Sequence, residues 1–210
     1  MDLRTGRRGS AVALALMGAA FACATPSRAS AQPAEPRASV SVLAGLARPN
    51  DATFRELYAS GIVPLNAQVD FRPDSVGVEV FGGFRYVEQT GEAQSNTGTP
   101  SGLALSFRMA SVRFGVGWRA PGRHWQIAVS GGGSYNWYRE SWKELDIETE
   151  DQALGFVVQT TVSYRISRRL SLLARGEFSA ISADSAVPTL GSVSLGSLDV
   201  LGGLSLGLWN

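Results

Sequence analysis

The chain has 210 residues, with 19 Lys and Arg against 18 Asp and Glu, one His and one Cys. A net charge of +1 lacks the basic surplus of a nucleic-acid-binding protein. A single Cys excludes a disulfide framework and a Cys-rich zinc site, and a single His excludes a multi-histidine metal site. Charged residues make up 18% of the chain, below the roughly 25% of an average soluble domain.

Residues 1–31 have the three parts of a secretory signal peptide. Arginines dominate the charge of the first eight residues, and an apolar stretch at 11–24 follows them. That stretch is shorter than the about 20 residues that a membrane-spanning helix needs. Ala29-Ser30-Ala31 has the small residues that signal peptidase recognises, so we expect cleavage after Ala31.

Cys23 leaves a second interpretation of this segment, an acylated lipoprotein. Phe21 fits that processing badly, because a small or branched residue is expected near the acylated Cys. After cleavage, residues 32–37 (QPAEPR) form a short linker, and residues 38–210 form a single domain.

Within 38–210, apolar and polar residues alternate with a period of two, which is typical of β-strands. In one example, Val78 and Val80 share a face and Glu79 lies on the other. Eight such segments occur, at 38–48, 61–72, 76–89, 103–120, 125–139, 152–167, 170–182 and 191–209. Tight turns at 73–75, 121–124 and 167–169 alternate with longer polar connections at 49–60, 90–102, 140–151 and 183–190. This rhythm predicts an all-β, eight-stranded antiparallel barrel, an up-and-down meander with its tight turns at one end.

Aromatic residues distinguish a membrane barrel from a soluble sandwich or lipocalin-like barrel. They lie in phase with the apolar face and near both ends of the segments, with aliphatic residues and Gly between them. On one strand Trp125 and Tyr135 are ten residues apart, the length of a tilted membrane-spanning strand. Two aromatic girdles around an apolar band are typical of a transmembrane barrel. The predicted girdles are Phe71, Trp118, Trp125 and Tyr164 at the tight-turn end, and Phe84, Tyr86, Tyr135 and Trp137 at the other.

The opposite face of the strands carries charges of both signs. In a narrow membrane barrel these side chains point into the lumen, where isolated charges are too costly and must pair. Eight strands enclose just enough space for side chains to fill, so we expect a salt-bridged polar core rather than an open pore. We expect Glu79 and Glu177 to pair with Arg85, Arg113, Arg165 or Arg175, and Gly82, Gly131 and Gly133 to relieve crowding where the sheet curves. The predicted lumen network is Asp70, Glu79, Arg85, Arg113, Arg165, Arg175, Glu177 and Asp199, with Arg119 on the same face.

These features together resemble the small outer-membrane barrels of Gram-negative bacteria. The stretch Ser163–Leu172 (SYRISRRLSL) is similar to the penultimate hairpin of opacity-type and outer-membrane-protein-A-type barrels. The chain ends on Leu-Gly-Leu-Trp-Asn, whereas the family commonly closes on a terminal aromatic that the assembly machinery recognises. The resemblance implies an outer-membrane location, a porin-like or opacity-like barrel, and contact with the barrel-assembly machinery during biogenesis.

Catalytic chemistry has little support in the sequence. His124, the only His, lies in a tight turn, without the neighbouring Ser of a lipid A deacylase and away from the loops where a palmitoyltransferase places its His. The acidic connection 139–151 is a candidate site for a divalent cation or a basic partner, but solvation of an exposed loop is the favoured explanation. Residues 51–58 are expected to form a helical turn that folds Phe54, Leu57 and Tyr58 over the barrel mouth.

We therefore expect a non-catalytic outer-membrane protein without cofactor or metal, in which the loops serve structural or surface-interaction roles. Its expected partners are outer-membrane lipid and lipopolysaccharide, with no nucleic acid, and we expect a monomer. The alternatives are a narrow channel or small-ligand carrier of the outer membrane, and a secreted soluble β-barrel.

Overall fold

Nearly all of the described chain is β-strand. The computed structural model describes residues 37–58, 61–73, 77–94, 100–120, 122–142, 146–184 and 192–209, so the predicted signal peptide lies outside the described residues. The strands are β1 (Ala38–Pro49), β2 (Leu65–Phe71), β3 (Val78–Gln94), β4 (Pro100–Ala120), β5 (Trp125–Trp142), β6 (Ile147–Arg165), β7 (Leu170–Asp184), β8 (Ser192–Ser194) and β9 (Ser197–Trp209), and one helix, α1 (Ala52–Tyr58), follows β1. No helix in these described ranges has the length and apolar character to cross a membrane.

The strands close into an eight-stranded antiparallel barrel in meander order, with β8 and β9 sharing the eighth position. Closure is made by β9, which pairs with β1 on one side and with β7 on the other. A ladder of strand partners that starts at Ala38 returns to β1 at Arg48, ten residues further along, through Phe71, Val80, Val116, Gly131, Val158, Phe178 and Leu198. This stagger means that the strands are tilted, as barrel closure requires.

Two of the predicted long connections are mostly strand. β3 and β4 remain paired as far as Gln94 and Pro100, and β5 and β6 as far as Trp142 and Ile147. The predicted strand ends at residues 89, 103, 139 and 152 were therefore wrong, because the strands continue beyond them. Alternation weakens there because most side chains on both faces of the hairpins are polar, although the backbone hydrogen bonds continue.

The second and last segments also differ from their predicted bounds. β2 begins at Leu65 rather than 61, because Pro64 has no N–H for the ladder and Ile62 makes only an isolated bridge to Ala47. The last segment is interrupted between β8 and β9, where the Asn50 N–H donates to the Gly196 carbonyl at 2.8 Å. This hydrogen bond extends the pairing of β1 with the last segment by one residue beyond Pro49 and Ser197.

The helical turn expected after Asn50 is present as α1. Asp51 caps it, because its Oδ1 accepts a hydrogen bond from the Phe54 N–H at 3.1 Å. Seven residues are too few for a helix to be stable alone, so α1 depends on its packing against the barrel mouth.

Candidate functional site: the barrel lumen and the lipid-facing surface

The barrel places its apolar face outside and its polar face inside. Along β5, Trp125 and Ile127 are 62% and 50% exposed, whereas Gln126 and Ala128 are 8% and 3% exposed. The same alternation continues on the other strands, and exposed outward side chains include Val42, Phe84, Phe114, Val116, Leu154, Phe156, Leu172, Val200 and Leu204. A soluble barrel has the opposite arrangement, so the predicted direction of the two faces agrees with the geometry.

Each predicted girdle residue lies on the outer face of the barrel. At the tight-turn end the rings of Trp125 and Tyr164 pack with centroids 4.8 Å apart, and at the other end Tyr135 and Trp137 pack at 4.7 Å. The outward residues Phe71 and Trp118 lie near the tight-turn ends of β2 and β4, and Phe84 and Tyr86 lie further along β3 toward the other end. Ten residues of strand at about 3.3 Å each, tilted by about 40°, cover about 25 Å, the height of the apolar band of a transmembrane barrel.

The band between the girdles is not purely aliphatic, which corrects the sequence interpretation. Phe114, Phe156 and Phe178 lie on it, and the rings of Phe156 and Phe178 are 6.1 Å apart. Phe has no polar group to bring to the interface, so it is compatible with the hydrocarbon region. The ring of Phe114 covers Gly133, where an added Cβ would lie 3.4 Å from its Cζ.

Crowding occurs inside the barrel and not at the glycines that the sequence suggested. Gly82, Gly131 and Gly133 face outward, and no atom lies within 4 Å of a Cβ built on Gly82. The inward-facing Gly115 is one restricted position, because a Cβ there would lie 2.6 Å from the ring of Phe81 and 2.3 Å from the Gly131 carbonyl. Buried Phe81 therefore occupies lumen space that a side chain at 115 would take.

Buried ion pairs between described residues lie in the lumen, three of which are as follows. Arg113 Nη1 is 2.6 Å from Glu177 Oε1, and Arg85 Nη2 is 3.0 Å from Asp199 Oδ2. The Arg119 Nε donates to Glu79 Oε2 at 2.8 Å. The carboxylate side chains of all three pairs are 2% exposed or less.

Neutral polar groups satisfy the remaining buried charges of the predicted network. Arg175 donates to Gln68 Oε1 at 2.7 Å and to Thr161 Oγ1 at 3.0 Å. Asp70 accepts a hydrogen bond from Gln68 Nε2 at 2.5 Å. Gln68 therefore links the acid to the base without a direct ion pair.

The structure corrects two details of the expected network. Glu79 pairs with Arg119, which was not among its four candidate partners, because the long Arg119 side chain reaches diagonally from the end of β4. Arg165, the last residue of β6, is half-buried at the tight-turn mouth and not within the fully buried set. Side-chain phase predicts which charges point inward, but strand stagger decides which of them meet.

An apolar plug closes the long-loop end of the lumen, and the sequence interpretation missed it. On β4 the inward positions change from Ser111 and Arg113 to Leu105, Phe107 and Met109, a change of residue class that could have indicated it. α1 packs onto this layer, with the Phe54 ring edge-on to Phe107 at 4.9 Å. The plug is Ala47, Phe54, Tyr58, Ile62, Val87, Leu105, Phe107, Met109, Tyr138, Ala153, Ile181 and Ala183. Between the plug and Arg85 lies a small cavity with space for about one water molecule.

Tyr58 fixes the end of α1 to two hairpins. Its hydroxyl donates to Glu140 Oε1 at 2.5 Å, and its carbonyl accepts a hydrogen bond from Gln89 Nε2 at 2.9 Å. Burial, followed by the hydrogen bond to Glu140, raises the pKa of the Tyr58 hydroxyl above its usual range. The phenol therefore remains a hydrogen-bond donor at all physiological pH values.

The acidic segment 139–151 is largely a hairpin, and four of its acids, Glu140, Glu148, Glu150 and Asp151, have basic or phenolic partners. Arg139 pairs across the strands with Glu148 at 3.1 Å and with Glu150. Glu140 accepts the Tyr58 hydrogen bond, and residues 143–145 at the tip lie outside the described residues. No group of three or more His, Cys, Asp and Glu side chains within the described ranges is arranged to hold a metal ion.

His124 is an exposed turn residue. Its ring lies 6.4 Å from that of Tyr164, at the tight-turn girdle.

Solved structures of outer-membrane barrels share this fold at low sequence identity. Neisserial surface protein A aligns with a TM-score of 0.60 and 11% identity, over 84% of this chain and 100% of that one. OprG, an outer-membrane protein of Pseudomonas aeruginosa, aligns with a TM-score of 0.61 and 8% identity, over 84% and 98%. Ail, the attachment invasion locus protein of Yersinia pestis, crystallised with the heparin analogue sucrose octasulfate, aligns with a TM-score of 0.52 and 11% identity, over 82% and 99%. No protein-family model and no curated protein matches the chain. The fold is that of the small eight-stranded outer-membrane barrels.

Proposed function

We propose that this chain is a non-catalytic integral protein of the outer membrane. In this proposal the lumen is closed and the loops serve structural or surface-interaction roles. The observation that carries the proposal is the inverted distribution of polarity, with charges buried in the lumen and an apolar band exposed between two aromatic girdles.

Energetics support lipid rather than water as the surroundings of this band. The largest apolar patch on a typical soluble monomer covers about 300–600 Å². Here outward Val, Leu, Ile and Phe side chains continue around the whole circumference. A secreted soluble barrel would expose all of this surface to water. Export through the predicted signal peptide and cleavage after Ala31 belong to the same proposal.

The filled interior favours a structural protein over a channel or carrier. The ion pairs of Arg85 and Arg113 cross the middle of the lumen, and the plug with α1 covers its long-loop end. The cavity beside the plug has space for about one water molecule, which is too little for an organic ligand.

Two hairpins extend beyond the girdle at the long-loop end of the barrel, and they provide the surface for interactions. β3–β4 and β5–β6 continue as paired strands, and their exposed charges are held by Glu88–Arg108 and Arg139–Glu148 ion pairs. In our proposal these hairpins project outward among lipopolysaccharide headgroups, and the tight turns face the periplasm. The protein acts as a monomer and meets the barrel-assembly machinery during insertion.

A pair of variants on one strand tests the lipid assignment. Val129 lies between the girdles on the outer face of β5. Ser141 lies on the same face, beyond the girdle at the long-loop end. Val129→Arg should lower the stability of the inserted barrel by about 2–4 kcal/mol, because an Arg near the bilayer midplane is poorly solvated. Ser141→Arg should have little effect.

The measurement is the folded fraction in lipid vesicles, read from heat-dependent gel mobility over a urea series. If the two variants lose folded protein at the same urea concentration, the outer face of β5 does not contact lipid.

A further inference from the structure

The tight-turn end of the barrel carries a set of exposed arginines. Arg123 lies in the turn between β4 and β5, and Arg168 and Arg169 lie in the turn between β6 and β7. Among the described residues, no acidic side chain forms an ion pair with these three. Arg72, beside the third tight turn, is half-buried, and Asp74 of that turn lies outside the described residues.

The girdle fixes the depth of these arginines. Arg123 precedes Trp125 by two residues, and Arg168 follows Tyr164 by four. The Trp125 and Tyr164 rings pack together at 4.8 Å, so the two arginine-bearing turns are adjacent. Girdle aromatics lie at the headgroup level of a bilayer. The guanidinium groups of these turns are therefore at the height of lipid phosphates.

The opposite end of the barrel has a different electrostatic character. Its exposed hairpins carry Glu88, Glu148 and Glu150, and the arginines beside them, Arg108 and Arg139, are already paired with these acids. Exposed Arg48 at this end also has no acidic partner among the described residues, but it is a single arginine, whereas the tight-turn end has three in two adjacent turns. A barrel with this asymmetry has a preferred leaflet for anionic lipid.

The residue type also fits a phosphate ligand. Lys143 is the only lysine of the chain, so apart from His124 the basic residues of the tight-turn end are all Arg. The planar guanidinium binds phosphate oxygens through two parallel hydrogen bonds, which an ammonium group cannot do.

We propose that the tight-turn end is a binding surface for anionic phospholipid headgroups, formed by Arg123, Arg168 and Arg169. This proposal rests on the proposed membrane location, because the girdle defines headgroup depth only in a bilayer. The lipid neutralises the three guanidinium groups and anchors this end of the barrel in its leaflet.

Lipid selectivity of the inserted barrel tests the proposal. The barrel is folded into phosphatidylcholine vesicles that contain traces of spin-labelled phosphatidylglycerol or spin-labelled phosphatidylcholine. The motionally restricted fraction of each probe gives its relative association with the protein surface. The test variant combines Arg123→Gln, Arg168→Gln and Arg169→Gln, and the control combines Arg48→Gln, Arg108→Gln and Arg139→Gln at the other end.

A basic residue near an anionic lipid surface contributes up to about fivefold in association. We expect the unmodified chain to prefer phosphatidylglycerol by about threefold or more at low salt, and to lose this preference at 1 M salt, where the Debye length is about 3 Å. The test variant should show no preference, and the control should keep it. A folded unmodified barrel without preference, or two variants with equal preference, would overturn the proposal and leave the membrane location intact. A chain that shows no heat-dependent mobility in any vesicle would overturn the membrane location and this proposal together.

Discussion

Glu177 and Arg113 show how charges are accommodated in the lumen. They come from β7 and β4, strands that are three positions apart around the barrel, and their side chains are 0% and 7% exposed. Apart from Arg113, no partner among the described residues satisfies the Glu177 carboxylate oxygens. Removal of either partner would leave an uncompensated buried charge.

Glu177→Gln should therefore lower the free energy of unfolding by about 3–5 kcal/mol, because Gln keeps the side-chain size but leaves Arg113 unpaired. Glu148→Gln is the matched control, since Glu148 pairs with Arg139 at the exposed hairpin, where an ion pair contributes at most about 1 kcal/mol. Denaturant unfolding in detergent measures both variants. Equal midpoints would show that the Glu177–Arg113 pair does not stabilise the barrel.

The direction of these side chains could be predicted from the sequence, but their pairing could not. Alternation alone places Glu79 and Glu177 opposite the apolar face. Partner choice depends on the ten-residue stagger of the closed ladder and on side-chain reach, as the diagonal Glu79–Arg119 pair shows. The period-two pattern of the sequence contains no information on the stagger or on the reach of a side chain.

At the scale of elements, α1 and the plug form a lid whose stability comes from tertiary packing. The Asp51 cap and the apolar residues of 51–58 were sufficient to predict the helical turn. The strand extensions were not predictable in the same way, because solvated hairpins have no apolar face to mark them. The plug was missed because the lumen was assumed to be polar along its whole length, whereas its inward residues become apolar near the mouth.

The lid makes a prediction for the titration of Tyr58. Burial and the hydrogen bond to Glu140 raise the pKa of this phenol above its usual value of about 10, so the folded state retains the proton. By linkage, the contribution to stability is complete below pH about 10 and is lost as the pH rises through the folded pKa.

Spectrophotometric titration of the folded protein and of Tyr58→Phe checks this. The difference between the two curves should show no tyrosinate near pH 10, with absorbance appearing only at more alkaline pH as the lid opens. If the difference curve has an ordinary midpoint near pH 10, the phenol is not held in the closed lid.

At the scale of the whole molecule, the chain is an inverted barrel with a filled interior. The sequence contains enough information for the number of strands, their antiparallel order and the outward face, because each of the eight segments repeats the same period-two pattern. The interior has a salt-bridged part toward the tight-turn end and an apolar plug at the long-loop end. This division depends on which inward residues lie at the same height along the barrel axis. The height of a residue along the axis is set by the register of the closed barrel, which no single segment of the sequence determines.

Site-directed spin labelling along β5 tests the inverted arrangement most directly. The only Cys of the chain, Cys23, lies in the predicted signal peptide, so single-Cys variants of residues 32–210 carry one label each. Labels are placed at Ile127 and Val129 on the outer face, at Ala128 on the inner face, and at Ser141 beyond the girdle. In bilayers we predict that labels at 127 and 129 collide often with oxygen and rarely with a water-soluble nickel complex. The label at 128 should be shielded from both reagents, and the label at 141 should be open to the nickel complex. Labels at 127 and 129 that are as accessible to nickel as the label at 141 would contradict the membrane barrel and indicate a soluble one.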